Sequence, residues 1–503
     1  MISSTHTVAF LGIHVLRIKI EVQISNGLPS FTIVGLGDKA ITESRERVRA
    51  VLNSLQIDLP PKRITVNLAP ADVFKEGTHY DLPIAMALLA AMKIIPSQEI
   101  ENFIMMGELG LDGSIRPVSG ILPAAIEAKK NNFGFICPQS QGSEALWADT
   151  PLIIAAPNLL SLLSHLKRQT PLPPPKPISF ETTEILPDLA DIKGQESARR
   201  ALEIAAAGGH NMLMIGPPGT GKSMLASRLP SLLPPLTHEE MLEVSQIHSV
   251  AGKIKEGNFI TTRPFRAPHH SATMVSLVGG GTRAKPGEIS LAHRGILFLD
   301  ELPEFNRSVL EALRQPIETG VITVSRANAH ITYPARFQLI TAMNPCKCGY
   351  LGVSGNECAR APKCGTEYLA KISGPLLDRI DLQLEVPAVN PWELSTTQKG
   401  ESSKSVAKRV QQAILFAKKR FEGTGILRNA EADGSFLENN IHLDTDARHL
   451  LQTAAEKMRL SARGYHRIIR VSRTIADLEL ADNITKTHIN EALSYRNPLR
   501  KSI

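Results

Sequence analysis

Three short apolar runs punctuate the middle of the chain, and each ends where polar chemistry begins. Asn211-Met212-Leu213-Met214-Ile215 enters a glycine turn, and Ile296-Leu297-Phe298-Leu299 leads into two carboxylates. Phe337-Gln338-Leu339-Ile340-Thr341 leads into Ala342-Met343-Asn344. Continuous apolar runs of this length, alternating with helical patterns, predict buried strands of a parallel sheet with helical crossovers. Between Thr319 and Pro334, the β-rich runs Val321 to Arg326 and Ile331 to Pro334 flank a polar tip, Ala327-Asn328-Ala329-His330, which predicts a hairpin. From about Ser395 the period turns helical, with Ser405 to Arg420 and Ala447 to Lys457 predicted as helices.

Residues 171 to 177 read Pro-Leu-Pro-Pro-Pro-Lys-Pro, which no helix or central strand tolerates. The stretch reads as a linker, or alternatively as a proline-rich loop within one domain. As a linker it divides the chain into 1–168, a connection over 169–188, an α/β unit over 189–395 and a helical unit over 396–503. There is no internal repeat.

At 503 residues the chain has room for two to four domains of about 150 residues each. A composition 43% apolar and 21% charged excludes collagenous, coiled-coil and mostly disordered classes. The net charge of +7 permits a polyanionic partner without requiring one. Five cysteines do not suggest a secreted disulfide framework, and Met1-Ile2-Ser3-Ser4-Thr5-His6 has no basic stretch followed by an apolar core, so no signal peptide is expected. No run approaches the roughly 18 apolar residues that span a bilayer. The expectation is a cytoplasmic protein without a membrane partner.

Gly216-Pro217-Pro218-Gly219-Thr220-Gly221-Lys222-Ser223 fits G-x-x-x-x-G-K-[ST] between a strand and a helix. Glycines let successive backbone N–H groups face phosphates, and the helix N-terminus adds its dipole. Lys222 is expected to neutralise the β- and γ-phosphates of ATP, and Ser223 to ligate Mg²⁺. Asp300 is expected in the Mg²⁺ shell and Glu301 as the base that polarises water; the plainer alternative is an acidic pair facing solvent. Asn344 either orients water against the γ-phosphate or is a turn residue.

Cys346, Cys348, Cys358 and Cys364 fall within residues 346–364 and can close a structural, tetrahedral zinc site. The alternative is four reduced structural thiols. Cys137 reads as core. His269-His270 lacks an i,i+4 metal partner and reads as a polar or DNA-facing loop.

Together these residues resemble the AAA+ ATPases. A hairpin just before the Asn344 strand is similar to the pre-sensor-1 hairpin of the magnesium-chelatase and MCM-helicase branch. The stretches Arg263 to His270 and Gly279 to Gly287 resemble that branch's helix-2 insert. Leu376-Leu377-Asp378-Arg379-Ile380-Asp381 resembles its arginine-finger segment, which makes Arg379 a finger donated to a neighbour, or else a local partner of Asp378 or Asp381. Ser461-Ala462-Arg463-Gly464-Tyr465-His466-Arg467 resembles the sensor-2 segment, with Arg463 the best match and Arg467 or Arg470 able to replace it.

Met106 to Pro138 looks like part of the proteolytic domain of Lon. The positions matching its Ser-Lys dyad carry Asp81 and Leu122, and no serine lies between Gly77 and Met92. An aspartate cannot be the acylated hydroxyl and a leucine cannot take its proton. A Lon-like α+β domain without peptidase chemistry, an AAA+ core and a helical lid resemble the YifB-like family, whose characterised helicase is ComM. The likeness covers nearly the whole chain. It implies an ATP-driven hexameric DNA motor acting in branch migration on single-stranded or branched DNA during natural transformation. Arg263, Arg266, Arg283, Lys285 and Arg326 would then line the channel. The alternative is a magnesium-chelatase motor subunit, which shares every ATPase motif and is expected to lack the Lon-like unit. An active ATP-dependent protease is opposed by the missing dyad.

Overall fold

Alternating burial in Ile2–Leu11 (β1) and His14–Ser25 (β2) fits their antiparallel pairing, Ile2 opposite Gln23 through Leu11 opposite His14. In the computed structural model, which describes residues 2–177, 186–254, 258–281, 284–326, 329–351, 358–388 and 400–496, this pair centres a mixed sheet. The other strands are Ser30–Val34 (β3), Arg63–Ala69 (β4), Phe103–Met105 (β5), Gly134–Pro138 (β6) and Ile153–Ala156 (β7). The order is β3-β4-β2-β1-β5-β6-β7.

Helices Lys39–Ser54 (α1), Asp81–Ala91 (α2) and Ile121–Lys130 (α3) accompany this sheet. Asp38 caps α1 by accepting from the Ile41 N–H. Every residue of α2 is buried, as expected of a helix apolar on all faces.

The second unit opens with Glu196–Gly208 (α4), and Met212–Ile215 (β8) follows. Next come Lys222–Arg228 (α5), His238–Val250 (α6), Phe265–Arg266 (β9) and Ile296–Leu299 (β10). Val321–Arg326 (β11) and Ala329–Pro334 (β12) form an antiparallel hairpin, followed by Gln338–Met343 (β13) and Leu382–Glu385 (β14). Strands β9-β10-β13-β8-β14 make one five-stranded sheet, parallel throughout. All residues of β8, β10 and β13 are buried, so the continuous apolar runs reflect a sheet covered on both faces.

Small offsets from the sequence reading have local causes. The hairpin's second strand starts at Ala329 rather than Ile331, because Arg326 pairs with Ala329. The first C-terminal helix, Ser403–Arg420 (α7), starts two residues early because the Ser402 side chain accepts from the Ser405 N–H. Thr445–Lys457 (α8), Ala462–Leu478 (α9) and Lys486–Ser494 (α10) complete the helical region. Ile468 and Ile475 of α9 share one apolar cluster with Met212 and Met214 of β8, so these helices seal the core sheet.

The N-terminal sheet is tied to α6. Gly120 N donates to Ser249 O at 3.0 Å, Ser249 Oγ donates to Glu144 at 2.5 Å, and Trp147 stacks on Phe259 at 4.5 Å. Burial raises the pKa of the Glu144 carboxyl. No helix among the described residues is long and apolar enough to cross a membrane.

Candidate nucleotide site

Parallel strands open their carboxyl ends into a crevice, and here the ends of β8, β10 and β13 bring together residues 216–223, 300–301 and 344. Gly216 N donates to Met343 O at 3.2 Å, and a Cβ on Gly216 would stand 2.2 Å from Val386 O, so no side chain fits there. Gly219 and Gly221 take φ of +80° and +85°, where glycine is at ease, and a Cβ on either meets nothing within 4 Å. The loop therefore presents an open face of backbone at the start of α5, which fits phosphate groups.

Lys222 is buried, and its ammonium donates to Gly216 O at 2.7 Å, Pro217 O at 2.8 Å and Asn344 Oδ1 at 3.3 Å. Burial pulls its pKa down, opposed by the nearby Asp300 charge. Ser223 Oγ donates to Asp300 Oδ2 at 2.6 Å. A hydroxyl and a carboxylate that already meet are a donor pair suited to Mg²⁺. Glu301 follows with φ of +52°, a left-handed conformation costly for a non-glycine residue.

One member of the site escaped the sequence. His270 Nδ1 lies 3.1 Å from Glu301 Oε2, and the His269 ring packs on His270 with centroids 4.0 Å apart. The expected polar loop is there, and within it His270 faces Glu301, two residues past the end of β10. Nothing in the sequence signals this, because β9 and β10 become neighbours only through the sheet.

The cysteine loop sits directly on the phosphate loop: a Cβ on Gly349 would come 2.7 Å from Pro218 Cδ. The Sγ atoms of Cys346, Cys348, Cys358 and Cys364 all lie within 4.8 Å of one another, and those of Cys346 and Cys348 are 3.2 Å apart. A tetrahedron of Zn–S bonds near 2.3 Å has S···S edges of about 3.8 Å, so the donor set fits zinc. Cys137 is buried in the N-terminal core.

Arg379 pairs with neither Asp378 nor Asp381. It donates to Glu318 through Nη2 and to Pro375 O through Nη1 at 2.6 Å. Arg463, with 68% of its side chain exposed, approaches the same Glu318 at 3.8 Å. Arg467 is buried, donates to Ile380 O at 2.9 Å and pairs with Asp378 at 3.4 Å, while Arg470 donates to Ala432 O at 2.6 Å. Of the three sensor-2 alternatives, Arg463 is thus the one left facing solvent. Leu382 pairs with Met212 and Glu385 with Ile215, which places Arg379 at the amino end of the sheet, away from its own phosphate loop.

Two of the arginines expected at DNA are engaged within the chain itself. Arg263 is nearly enclosed, donating to Pro234 O and Arg294 O at 2.7 Å each and to Glu240 at 3.0 Å. Arg266 is held in a two-pronged pair with Glu288 at 2.6 and 2.7 Å. Sequence alone could not show that these acids lie opposite. Lys285 is exposed. Arg326 ends β11 by its backbone, while its side chain and the whole of Arg283 lie outside the described residues.

At the positions matched to the Lon dyad, Asp81 is fully buried, with Arg47 Nε at 2.6 Å, Arg47 Nη2 at 3.0 Å and Leu109 N at 3.2 Å, and it also accepts from Ser44. Leu122 is buried as well. The pair is packing and charge balance rather than a nucleophile and its base.

Family models described as magnesium chelatase, subunit ChlI, match residues 188–394, with the C-terminal model of that subunit matching 400–496. A model described as subunit ChlI of Mg-chelatase matches residues 20–141. The chain is 46% identical over 492 residues to the uncharacterized protein YifB of Salmonella typhimurium, covering 98% of this chain and 96% of the relative. It is 44% identical over 496 residues to YifB of Escherichia coli, covering 98% and 97%. To the competence protein ComM of Haemophilus influenzae it is 45% identical over 499 residues, again covering 98% and 97%.

Proposed function

The chain belongs to the magnesium-chelatase-like family that includes YifB and ComM, and on that premise we propose that it is an ATP-driven DNA motor working as a ring. The observation that carries the ATPase part is the meeting of Ser223 and Asp300 at 2.6 Å beside the buried ammonium of Lys222. The DNA part rests on the likeness to ComM. That relative's name points to competence, and branch migration on single-stranded or branched DNA suits that setting.

In this reading the open amides of residues 216–221 and the Lys222 ammonium hold the triphosphate of ATP. Ser223 and Asp300 would hold Mg²⁺, which supplies charge neutralisation between the β- and γ-phosphates. Glu301 polarises the attacking water and Asn344 orients it. Arg379 cannot serve its own loop from the far end of the sheet, so it completes the site of a neighbouring copy, with Arg463 beside it on Glu318. A closed ring of six such sites is proposed. Lys285, Arg326 and Arg283 remain the proposed channel cations, whereas Arg263 and Arg266 hold the core together. The four cysteines are proposed to bind a structural zinc that braces the phosphate loop.

We take residues 1–168 as an N-terminal unit without peptidase chemistry, 169–188 as linker, 189–395 as the ATPase core and 396–503 as the helical lid. The N-terminal unit was expected to separate this chain from chelatase motor subunits. A model described as a chelatase subunit also matches residues 20–141, so that unit does not discriminate.

DNA does discriminate. ATP hydrolysis should rise with single-stranded or branched DNA and with protein concentration. Hydrolysis indifferent to DNA but raised by a porphyrin-metallating partner would favour the chelatase reading, and full activity at concentrations where the chain is monomeric would remove the ring.

A further inference from the structure

Below the amino ends of β8, β10, β13 and β14 lies a cavity of about 780 Å³, closed on its other side by α7, α9 and the loop between α7 and α8. Nine arginine and lysine side chains line it against five carboxylates. Four of those carboxylates are already paired with cations, and the fifth, Glu431, is held by a backbone N–H. Glu240 takes Arg263 and Arg294, Glu318 takes Arg379 and Arg463, and Asp378 and Asp381 share Arg467. Glu431 accepts from the Leu427 N–H at 3.0 Å. Among the described residues, Arg336, Lys418, Arg428 and Arg470 line the cavity without an ion pair.

Arg428 is the most telling of these. Its stem packs over Gly209, where a Cβ would come within 3.2 Å of Arg428 Cγ. Its Nη1 is buried and has no hydrogen-bond partner among the described residues. Burial first, then the Arg263 charge, pull its pKa down to about 10, against the opposing charges of Glu240 and Glu431. A guanidinium withdrawn from water without a direct ion pair, its carboxylates Glu240 and Glu431 only at a distance, is unfavourable unless an anion in the cavity supplies one. Arg470, by contrast, already spends its Nε on Ala432 O.

We propose that Arg428, with Lys418 and Arg336 on the same cavity, forms a second anion site that takes a multiply charged phosphate group, apart from the loop around Lys222. The surplus of four cations calls for more than one negative charge, and the planar fork of arginine suits phosphate oxygens. The phosphate can come from a free polyphosphate or from the backbone of a nucleic acid strand. The inference does not depend on the motor reading, because it concerns an anion and not a reaction.

Calorimetric titration of the full-length Lys222→Ala chain with inorganic pyrophosphate is the test, since that variant silences the phosphate loop. Binding should persist, and adding Arg428→Gln should weaken it by about tenfold or more, with Lys418→Ala weakening it less. Without pyrophosphate, Arg428→Gln should unfold at a temperature no lower than its background, because it removes an unmatched charge. Displacement of pyrophosphate by a short single-stranded oligonucleotide assigns the site to a strand, and failure to displace it assigns the site to free phosphate. Unchanged pyrophosphate affinity in Arg428→Gln, or no binding to the Lys222→Ala chain, overturns the proposal. A clear loss of thermal stability in ligand-free Arg428→Gln would also overturn it, because the guanidinium would then be satisfied within the fold.

Discussion

His270 Nδ1 stands 3.1 Å from Glu301 Oε2, joining a residue just past β9 to the carboxylate that ends β10. Asp300, one residue earlier, is instead bound to Ser223. The two adjacent acids are therefore committed to different partners: one to the proposed metal position, the other to an imidazole that competes with water for its oxygen.

Removing that competitor should free Glu301. His270→Ala is expected to raise ATP turnover without DNA, by about fivefold at most if an exposed ion-pair contact worth up to about 1 kcal/mol is lost. Steady-state phosphate release measures it. A fall in turnover would mean that the imidazole aims Glu301 instead of restraining it.

Glu301→Gln keeps the shape and removes the proposed base. Turnover should drop by a factor on the order of 10² to 10⁴, with ATP binding retained. Lys222→Ala should lose binding itself. Equilibrium binding of a fluorescent ATP analogue, set beside phosphate release, separates the two effects; equal loss of binding in both variants would take Glu301 out of its role.

The four sulfurs make a metal prediction. Protein purified without chelator should carry about one zinc per chain, and Cys346→Ser should carry much less. Elemental analysis decides, and equal zinc in the two proteins would discard the site.

Asp81 makes a stability prediction. Its carboxylate is fully buried and Arg47 is 21% exposed, so Asp81→Ala strands a cation and should cost about 3 to 5 kcal/mol. Urea unfolding should show this loss, with most of it recovered in Arg47→Met/Asp81→Leu. If Asp81→Ala is as stable as the parent, the pair does not hold α1 to α2.

Much of the candidate nucleotide site is legible along the chain because its chemistry is local. Gly216 to Ser223 are contiguous, and the apolar runs before Asp300 and Asn344 mark strands whose ends must open on the same crevice once the sheet is parallel. The thiols are equally readable, since their separation is short enough for one loop to gather them. The intrachain partners of Arg263 and Arg266 were hidden for the opposite reason. A basic residue in a glycine- and proline-rich stretch looks solvent-facing until Glu240 and Glu288 are brought against it.

The order of residues alone determined the strands, the phosphate loop and the helical C-terminal region, because periodicity and short-range spacing are properties of neighbours in the chain. Only the folded arrangement decided that His270 meets Glu301, that Arg379 and Arg463 share Glu318, and that Arg428 lines a cavity without a direct ion pair. Such pairings join positions tens to more than a hundred residues apart. Whether a charge is matched or stranded depends on which groups packing puts beside it and how far it excludes water.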